Sequence, residues 1–214
     1  MDKNSIVFEL LKNSKLDSDQ VDALSDIYSI AYDDPKNEEG GFKNYAKYMK
    51  YTGAQLKSIL DFAKHISEQN YVINEAGSLV DLGNPIGMGN AISCAFEILK
   101  PDLNNSQIMV LNGKLDKVPL KYIYSLSKTG ISYSGMYYIL QGYEKDEETA
   151  YVIWNAYNHG YTHPDQLNEI LCGLITGINI LEYTSPDMDP DEMGFVRHCL
   201  TIGKDKAKSI VNKL

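Results

Sequence analysis

Apolar residues recur at helical spacing along most of the chain, in short runs that begin and end alike. In "HPDQLNEILCGLITGINI" (163–180), Leu167, Ile170, Leu171 and Leu174 form an i, i+3, i+4, i+7 stripe. Pro164 suits the first helical position, where its missing N–H would have no partner anyway, and it pushes His163 out of the α region. Gly177 predicts a left-handed stop, with Ile178 placed for the apolar contact that follows such an end. "DPDEMGFVRHCLTIGKDK", from Asp189, repeats this scheme at an offset of 26: Pro190 for Pro164, Asp191 for Asp165, Leu200 for Leu174, Gly203 for Gly177. Asp189 with Glu192 reads as a capping box.

The same signals recur upstream. A polar residue, an apolar one and a second apolar one three further on appear as Gln20-Val21…Leu24, Gln55-Leu56…Ile59, Gln107-Ile108…Leu111, Gln166-Leu167…Ile170 and Glu192-Met193…Val196. Gly130 and Gly160 end apolar-periodic runs as Gly177 does. The pattern predicts helices over 4–13, 18–32, 40–50, 53–68, 89–100, 118–129, 134–143, 147–158, 164–176, 190–202 and 204–213. Their starts are unevenly spaced, which excludes a solenoid of fixed period. The expected fold is all-α, an array of short helices packed as successive helical hairpins. "IMVLNGKLDKV" leaves two readings open near 108–118: a small β-hairpin turning at Asn112-Gly113, or a short helix ending there, which is preferred. The Gly-rich, polar stretch 74–90 predicts a linker between an N-terminal helical subdomain (1–73) and a C-terminal helical-repeat subdomain (91–214).

Composition narrows the function classes. Hydrophobic residues make up 43% and charged residues 23%, a globular balance. The opening "MDKNSIVFELLKNSKLD" does not read as a signal peptide, and no run approaches the ~20 apolar residues of a membrane span. Three dispersed cysteines, Cys94, Cys172 and Cys199, fit a reducing cytoplasm better than a disulfide framework. The formal net charge is −9, and of 20 basic residues one, Arg197, is an arginine. An acidic chain nearly devoid of guanidinium groups is poorly equipped for direct nucleic-acid binding. A basic protein partner fits its charge.

Chemistry-bearing motifs resolve into helix grammar. "DMDPDEM" (187–193) alternates Asp187, Asp189 and Asp191, but an EF-hand loop needs Gly at its sixth position and Glu at its twelfth, where Glu192 and His198 stand. Those acids suit a helix start. His159 and His163 are four apart, yet Gly160 and Pro164 interrupt any helix that would align them as metal ligands. "GNPIGMGNA" (83–91) lacks the spacing and the preceding strand of a dinucleotide loop. No nucleophile–base pair stands out, so the expectation is a non-enzymatic protein with no catalytic residues, no metal and no cofactor.

Tyrosine is distributed unevenly. Nine of 16 (Tyr122, Tyr124, Tyr133, Tyr137, Tyr138, Tyr143, Tyr151, Tyr157 and Tyr161) fall between 122 and 161, with Trp154 among them and Asp146, Glu147 and Glu148 in the middle. Tyr45, Tyr48 and Tyr51 form a second stripe. Tyrosine offers rigid area and a polar tip at interface hot spots, so this segment is the expected protein-binding face.

"DQLNEILCGLITGINILEYTSPDMDPDEMGFVRHCLTIGKD" resembles a short helical repeat of proteins encoded on mobile elements (phage, plasmid, conjugative element) of low-GC Gram-positive bacteria. Gln166, Leu167, Ile170, Gly173, Leu174, Gly177 and Ile178 match its core and terminator, and Tyr183 and Pro186 its exit; Glu192, Met193, Val196, Arg197, Leu200, Gly203 and Asp205 form the second copy. Leu171 and Cys199 depart from its Arg and Gly. The resemblance implies a helical module and no reaction. It also implies a kind of partner, since small acidic proteins of such elements inhibit host defences as anti-CRISPR or antirestriction proteins. The expectation is thus an acidic inhibitor covering the nucleic-acid site of a nuclease or its ribonucleoprotein complex, with a mobile-element scaffold or adaptor as the alternative. The sequence leaves the oligomeric state open.

Overall fold

The computed structural model describes residues 12, 15–32, 50–68, 71–74, 76–83 and 86–203. The helices expected over 4–13 and 204–213, nearly all of that over 40–50, and Tyr45 and Tyr48 lie outside them. The described residues form nine α-helices and one two-stranded sheet, a mostly helical fold as expected. The chain divides into two compact units, 1–130 and 131–214.

The first unit holds α1 (Ser18–Tyr32), α2 (Gly53–Ser67), the strands β1 (Tyr71–Ile73) and β2 (Leu79–Asp81), α3 (Met88–Ile98), α4 (Asn105–Asn112) and α5 (Leu120–Ser127). Helix α2 is central, packing on α1, α3 and α4. Its Leu56, Ile59, Phe62 and Ile66 are fully buried with Leu24, Ile27, Ile98 and Leu111. A side chain at Gly53 would meet the Asp19 backbone and Cβ, so α1 and α2 touch closely at their N-terminal ends.

One expectation is corrected here and one open choice is decided. The stretch 74–90 does not divide the chain: it lies within the first unit and supplies the turn and second strand of an antiparallel hairpin, with Val72 opposite Val80. Its polar residues encode that turn. Asn74 Oδ1 accepts from Ser78 N at 2.9 Å, the Asn74 carbonyl accepts from Gly77 N at 2.8 Å, and Gly77 takes φ +72°, which glycine adopts without strain. Of the two readings near 108–118, the preferred short helix holds, and the hairpin does not form there. Asn104 and Gln107 form a capping box that starts α4, and Gly113 ends it at φ −69°, ψ −4°, without the positive φ of a two-residue hairpin turn.

The second unit holds α6 (Tyr133–Lys145), α7 (Glu147–Asn158), α8 (Pro164–Ile175), a 3₁₀ turn (Leu181–Tyr183) and α9 (Pro190–Ile202). Asp146 is both the end of α6 and the cap of α7, its side chain accepting from Thr149 N at 2.6 Å. The α6–α7 hairpin closes tightly because Gly142 has no side chain; a Cβ there would lie 2.8 Å from Ala150 Cα. Helices α7 and α8 end alike. Gly160 and Gly177 have positive φ, and Tyr161 N and Ile178 N reach back to the carbonyls of Ala156 and Gly173 at 3.2 and 2.8 Å. The second copy departs from the first in its caps. Asp189 accepts from Asp191 N at 2.9 Å instead of closing a box with Glu192, and Gly203 ends α9 at φ +146°, ψ 124°, outside the left-handed helical basin.

The recurring glutamine has a defined task. Gln20, Gln55, Gln107 and Gln166 stand three residues after Asp17, Thr52, Asn104 and His163, and all four are buried. Asp17 and Gln20, Thr52 and Gln55, and Asn104 and Gln107 cap their helices reciprocally. The amide then bridges helices. Gln20 Nε2 donates to the Tyr51 carbonyl at 2.6 Å, Gln55 Nε2 to Leu103 at 2.9 Å, and Gln166 Nε2 to Pro186 and Met188, both at 2.8 Å. Tyr51, Leu103 and Met188 each immediately precede the cap of α2, α4 and α9. Gln20 and Gln55 thus each start their own helix and fix where a partner helix begins; Gln166 does the second alone. A buried or partly buried carbonyl is satisfied at each step. At α6 the position is Gly135, where the Tyr157 ring fills the space a side chain would take.

Candidate protein-binding face

The expected tyrosine face is dispersed over both units and several helices. Tyr122 and Tyr124 lie on α5 in the first unit. Lys121 sits 4.4 Å from the centre of the Tyr122 ring. Tyr124 is buried; its hydroxyl donates to the Gly77 carbonyl at 2.6 Å, and Lys128 lies over its ring while reaching the same carbonyl at 3.2 Å. Together they pin the β1–β2 turn. In the second unit, the Tyr157 hydroxyl accepts from Ser132 N and bonds Ser132 Oγ, both at 3.1 Å, at the cap of α6. Tyr161 is buried, its hydroxyl 3.1 Å from Thr184 Oγ1. These three tyrosines hold the fold through their hydroxyls, and of them Tyr124 and Tyr161 are buried while Tyr157 is half-buried.

The others face outward to different degrees. Tyr151 on α7 is 65% exposed, with Trp154 half-buried one turn on. Asp146, Glu147 and Glu148 are exposed at the start of α7. The Thr149 hydrogen bonds hold the Asp146 carboxyl below its usual range. Tyr143 is half-buried. On α6, Tyr133 is 46% exposed and stacks on Tyr137, ring centres 6.4 Å apart and planes 27° apart, while Tyr137 meets Tyr138 edge-on at 5.1 Å and 84°.

Residues outside the tyrosine segment complete this surface. Helix α8 packs on α6, α7 and α9. Its positions opposite the apolar stripe, Asp165, Asn168, Glu169 and Cys172, are exposed or half-buried. Burial, then Tyr137, then Asp165 push the Tyr138 phenol up. One turn along this stripe, Glu169 Oε2 accepts from Arg197 Nε of α9 at 2.7 Å, and Gly194 leaves room for the Glu169 carboxylate. The signal for these residues was present in the sequence as the polar complement of the Leu167–Leu174 stripe.

The second unit is also where the acidity lies. Residues 131–214 carry twelve acidic and six basic side chains, against seventeen and fourteen in 1–130; Lys145 and Arg197 are the basic residues before 204. Arg197 is paired with Glu169, and Lys145 bonds the Leu174 carbonyl.

Among the described residues, no three His, Cys, Asp or Glu side chains are grouped to hold a metal ion, and no helix is long and apolar enough to cross a membrane. A cavity of about 100 Å³ in the first unit lies between β1 and α3, lined by Val72, Ile73, Asn90, Ser93, Cys94 and Glu97. Cys94 is buried and accepts from Ile73 N at 3.2 Å; burial pushes its thiol up, away from the thiolate a nucleophile requires. The three cysteines are free thiols. No protein-family model matches the chain, and no curated protein or solved structure matches it either.

Proposed function

We propose that the protein is a non-enzymatic binding protein whose second unit covers a basic surface of another protein, in the manner of an inhibitor occluding the nucleic-acid site of a host nuclease. The observation that carries this reading is the charge of the second unit, twelve acids against six cations over 131–214, with the acids at 144–192 accompanied by Lys145 alone, on a unit that also displays Tyr133, Tyr137, Tyr138 and Tyr151. Surfaces that hold nucleic acid are basic, and an acidic face with aromatic anchors is complementary to them. The resemblance to mobile-element repeats directs the proposal to a defence nuclease of a Gram-positive host.

The test is capture of such a nuclease from host lysate on the immobilised protein, then a mobility-shift assay of the captured nuclease with its DNA. The expected result is loss of DNA binding on adding the protein, and release from the column as salt rises to about 1 M, where the Debye length falls to ~3 Å. Association that withstands such salt, or that leaves DNA binding intact, would overturn the proposal. Exposed Ile175, Phe195 and Ile202 favour a second reading, a self-associating scaffold. Concentration-dependent sedimentation without effect on any nuclease would support it.

A further inference from the structure

The unequal copies at 163 and 189 leave one surface open that the first copy covers. Helix α9 packs on α8, and the two run in the same direction. A Cβ at Gly194 would lie 3.4 Å from the Glu169 carboxylate; four residues along α8, one at Gly173 would lie 3.8 Å from Arg197 Cδ, three residues along α9. Gln166 closes the start of the seam through the carbonyls of Pro186 and Met188. The side of α8 that receives α9 is thus Gln166, Glu169 and Gly173. At the offset of 26, the same positions of α9 are Glu192, Phe195 and Cys199, and Ile202 continues that stripe one turn on. On its outer side α9 therefore presents the counterpart of the surface it covers on α8. Where the first copy has a carboxylate paired across the seam, the second has a phenyl ring. Phe195 is 49% and Ile202 57% exposed, with buried Cys199 between them in the stripe.

The two ends of α9 indicate what fits this face. Asp191 and Glu192 stand in its first turn, and Lys204, Lys206 and Lys208 follow Gly203 in the sequence. A second α9 laid antiparallel brings the acidic end of each to the basic end of the other and sets the helix dipoles in opposition. Phe195 and Ile202 are two turns apart, so the same arrangement lays Phe195 of each copy on Ile202 of the other, with the two-fold axis between them near Cys199. Gly203 itself does not fold the chain back as Gly177 does. Gly177 takes φ +75° and Ile178 N returns to the Gly173 carbonyl, whereas Gly203 lies at φ +146°, ψ 124°.

We propose that the outer face of α9 is a self-association surface, pairing antiparallel with α9 of a second copy of this chain through Phe195 and Ile202. The proposal rests on the second reading above, self-association, and names its face; it stands apart from what the acidic surface takes. The apolar pair supplies the affinity and the charged ends set the direction.

Sedimentation velocity of the full chain from micromolar to millimolar concentration tests this. The face is one helix wide, at the small and weak end of protein interfaces, so a monomer–dimer midpoint in the tens to hundreds of micromolar is expected. Association should persist at about 1 M salt, because an apolar contact carries it. Phe195→Glu and Ile202→Lys should each raise the midpoint about thirtyfold or more, since a two-fold interface loses the contact twice. Mixed together, these two variants should associate again: one Phe195–Ile202 contact is intact and the other becomes an ion pair. Ile175→Lys, at an equally exposed apolar site on α8, should leave the midpoint unchanged. Circular dichroism and Trp154 emission confirm folding, and all three substituted sites are exposed. A chain that is monomeric throughout, or a mixture that stays monomeric, would overturn the inference. So would dimers that form only once residues 204–214 are removed, since the terminal segment would then be what covers the face. Self-association unmoved by either substitution would refute this face and leave the scaffold reading standing. Dimers that behave as expected but capture no nuclease would uphold the face and refute the inhibitor reading.

Discussion

The glutamine link between α8 and α9 makes a prediction that separates its hydrogen bonds from its volume. Gln166 is 5% exposed, and its amide donates to the carbonyls of Pro186 and Met188 at 2.8 Å each. Gln166→Met keeps the unbranched shape, so little cavity energy enters. It removes both bonds, worth about 0.5–1.5 kcal/mol each net, and leaves two partly buried carbonyls without their donor. The expected loss is about 2–3 kcal/mol, or roughly 10–20 °C in Tm for a unit of this size. Trp154, the single tryptophan, lies on α7 in the same unit, so its emission on heating or in urea reports this transition. Gln166→Glu adds a check of sign. Its carboxylate would face two carbonyl oxygens and could donate to neither, so its folded pKa must lie above the ordinary value near 4.3. Protonation restores one donor. The deficit relative to the wild type should therefore be smallest below about pH 4 and grow as pH rises through the folded pKa. A Met variant within about 0.5 kcal/mol of the wild type, or a Glu variant whose deficit ignores pH, would refute the link as the element joining these helices.

Other outcomes follow from single contacts. Gly142→Ala forces a Cβ to 2.8 Å from Ala150 Cα, so the α6–α7 hairpin must open; a loss of about 1–3 kcal/mol is expected in urea titrations followed by Trp154. Tyr124→Phe removes the 2.6 Å bond to Gly77; about 0.5–1.5 kcal/mol should be lost, with faster amide exchange in β1 and β2. Asp146 has a depressed carboxyl, so the stability it contributes is complete above the unfolded carboxylate pKa and is lost as pH falls through the folded value. Asp146→Asn keeps a capping side chain but should flatten that part of the acid limb, measured as midpoint against pH below about 4.

Helix positions were legible because the grammar that sets them is local. α1, α7 and α9 match the ranges expected from caps and periodicity, and α8 matches to within a residue at its C-terminal end. The hairpin at 71–81 was hidden because Tyr71–Ile73 and Leu79–Asp81 are too short for an alternation signal, and their turn residues look like a linker. Asn112-Gly113 offered a hairpin signal that the Asn104–Gln107 box overrode. The candidate face was half-legible. Clustering in sequence marked Tyr133, Tyr137 and Tyr138, but it also swept in Tyr124, Tyr157 and Tyr161, whose hydroxyls are committed to Gly77, Ser132 and Thr184. Density of a residue type says nothing about direction. Arg197 comes to Glu169 through the packing of α9 on α8, which no local pattern records.

The glutamine also explains why the two copies at 163 and 189 are unequal. In α8 the third helical residue is Gln166, buried and clasped to the segment ahead of α9; in α9 it is Glu192, exposed. An ionised carboxylate has no proton to give a carbonyl, so α9 receives a link from α8 but cannot pass one on by the same means. The second copy therefore preserves the packing stripe of Met193, Val196 and Leu200 while releasing its polar positions from the duty of joining helices. Arg197 stands where the first copy has buried Leu171, and it turns to Glu169 across the seam instead. Repetition fixes the positions that cap, pack and clasp. What varies between copies is the face those positions leave over, and in these two copies it carries the acids of α8 and the lone arginine that pairs with one of them.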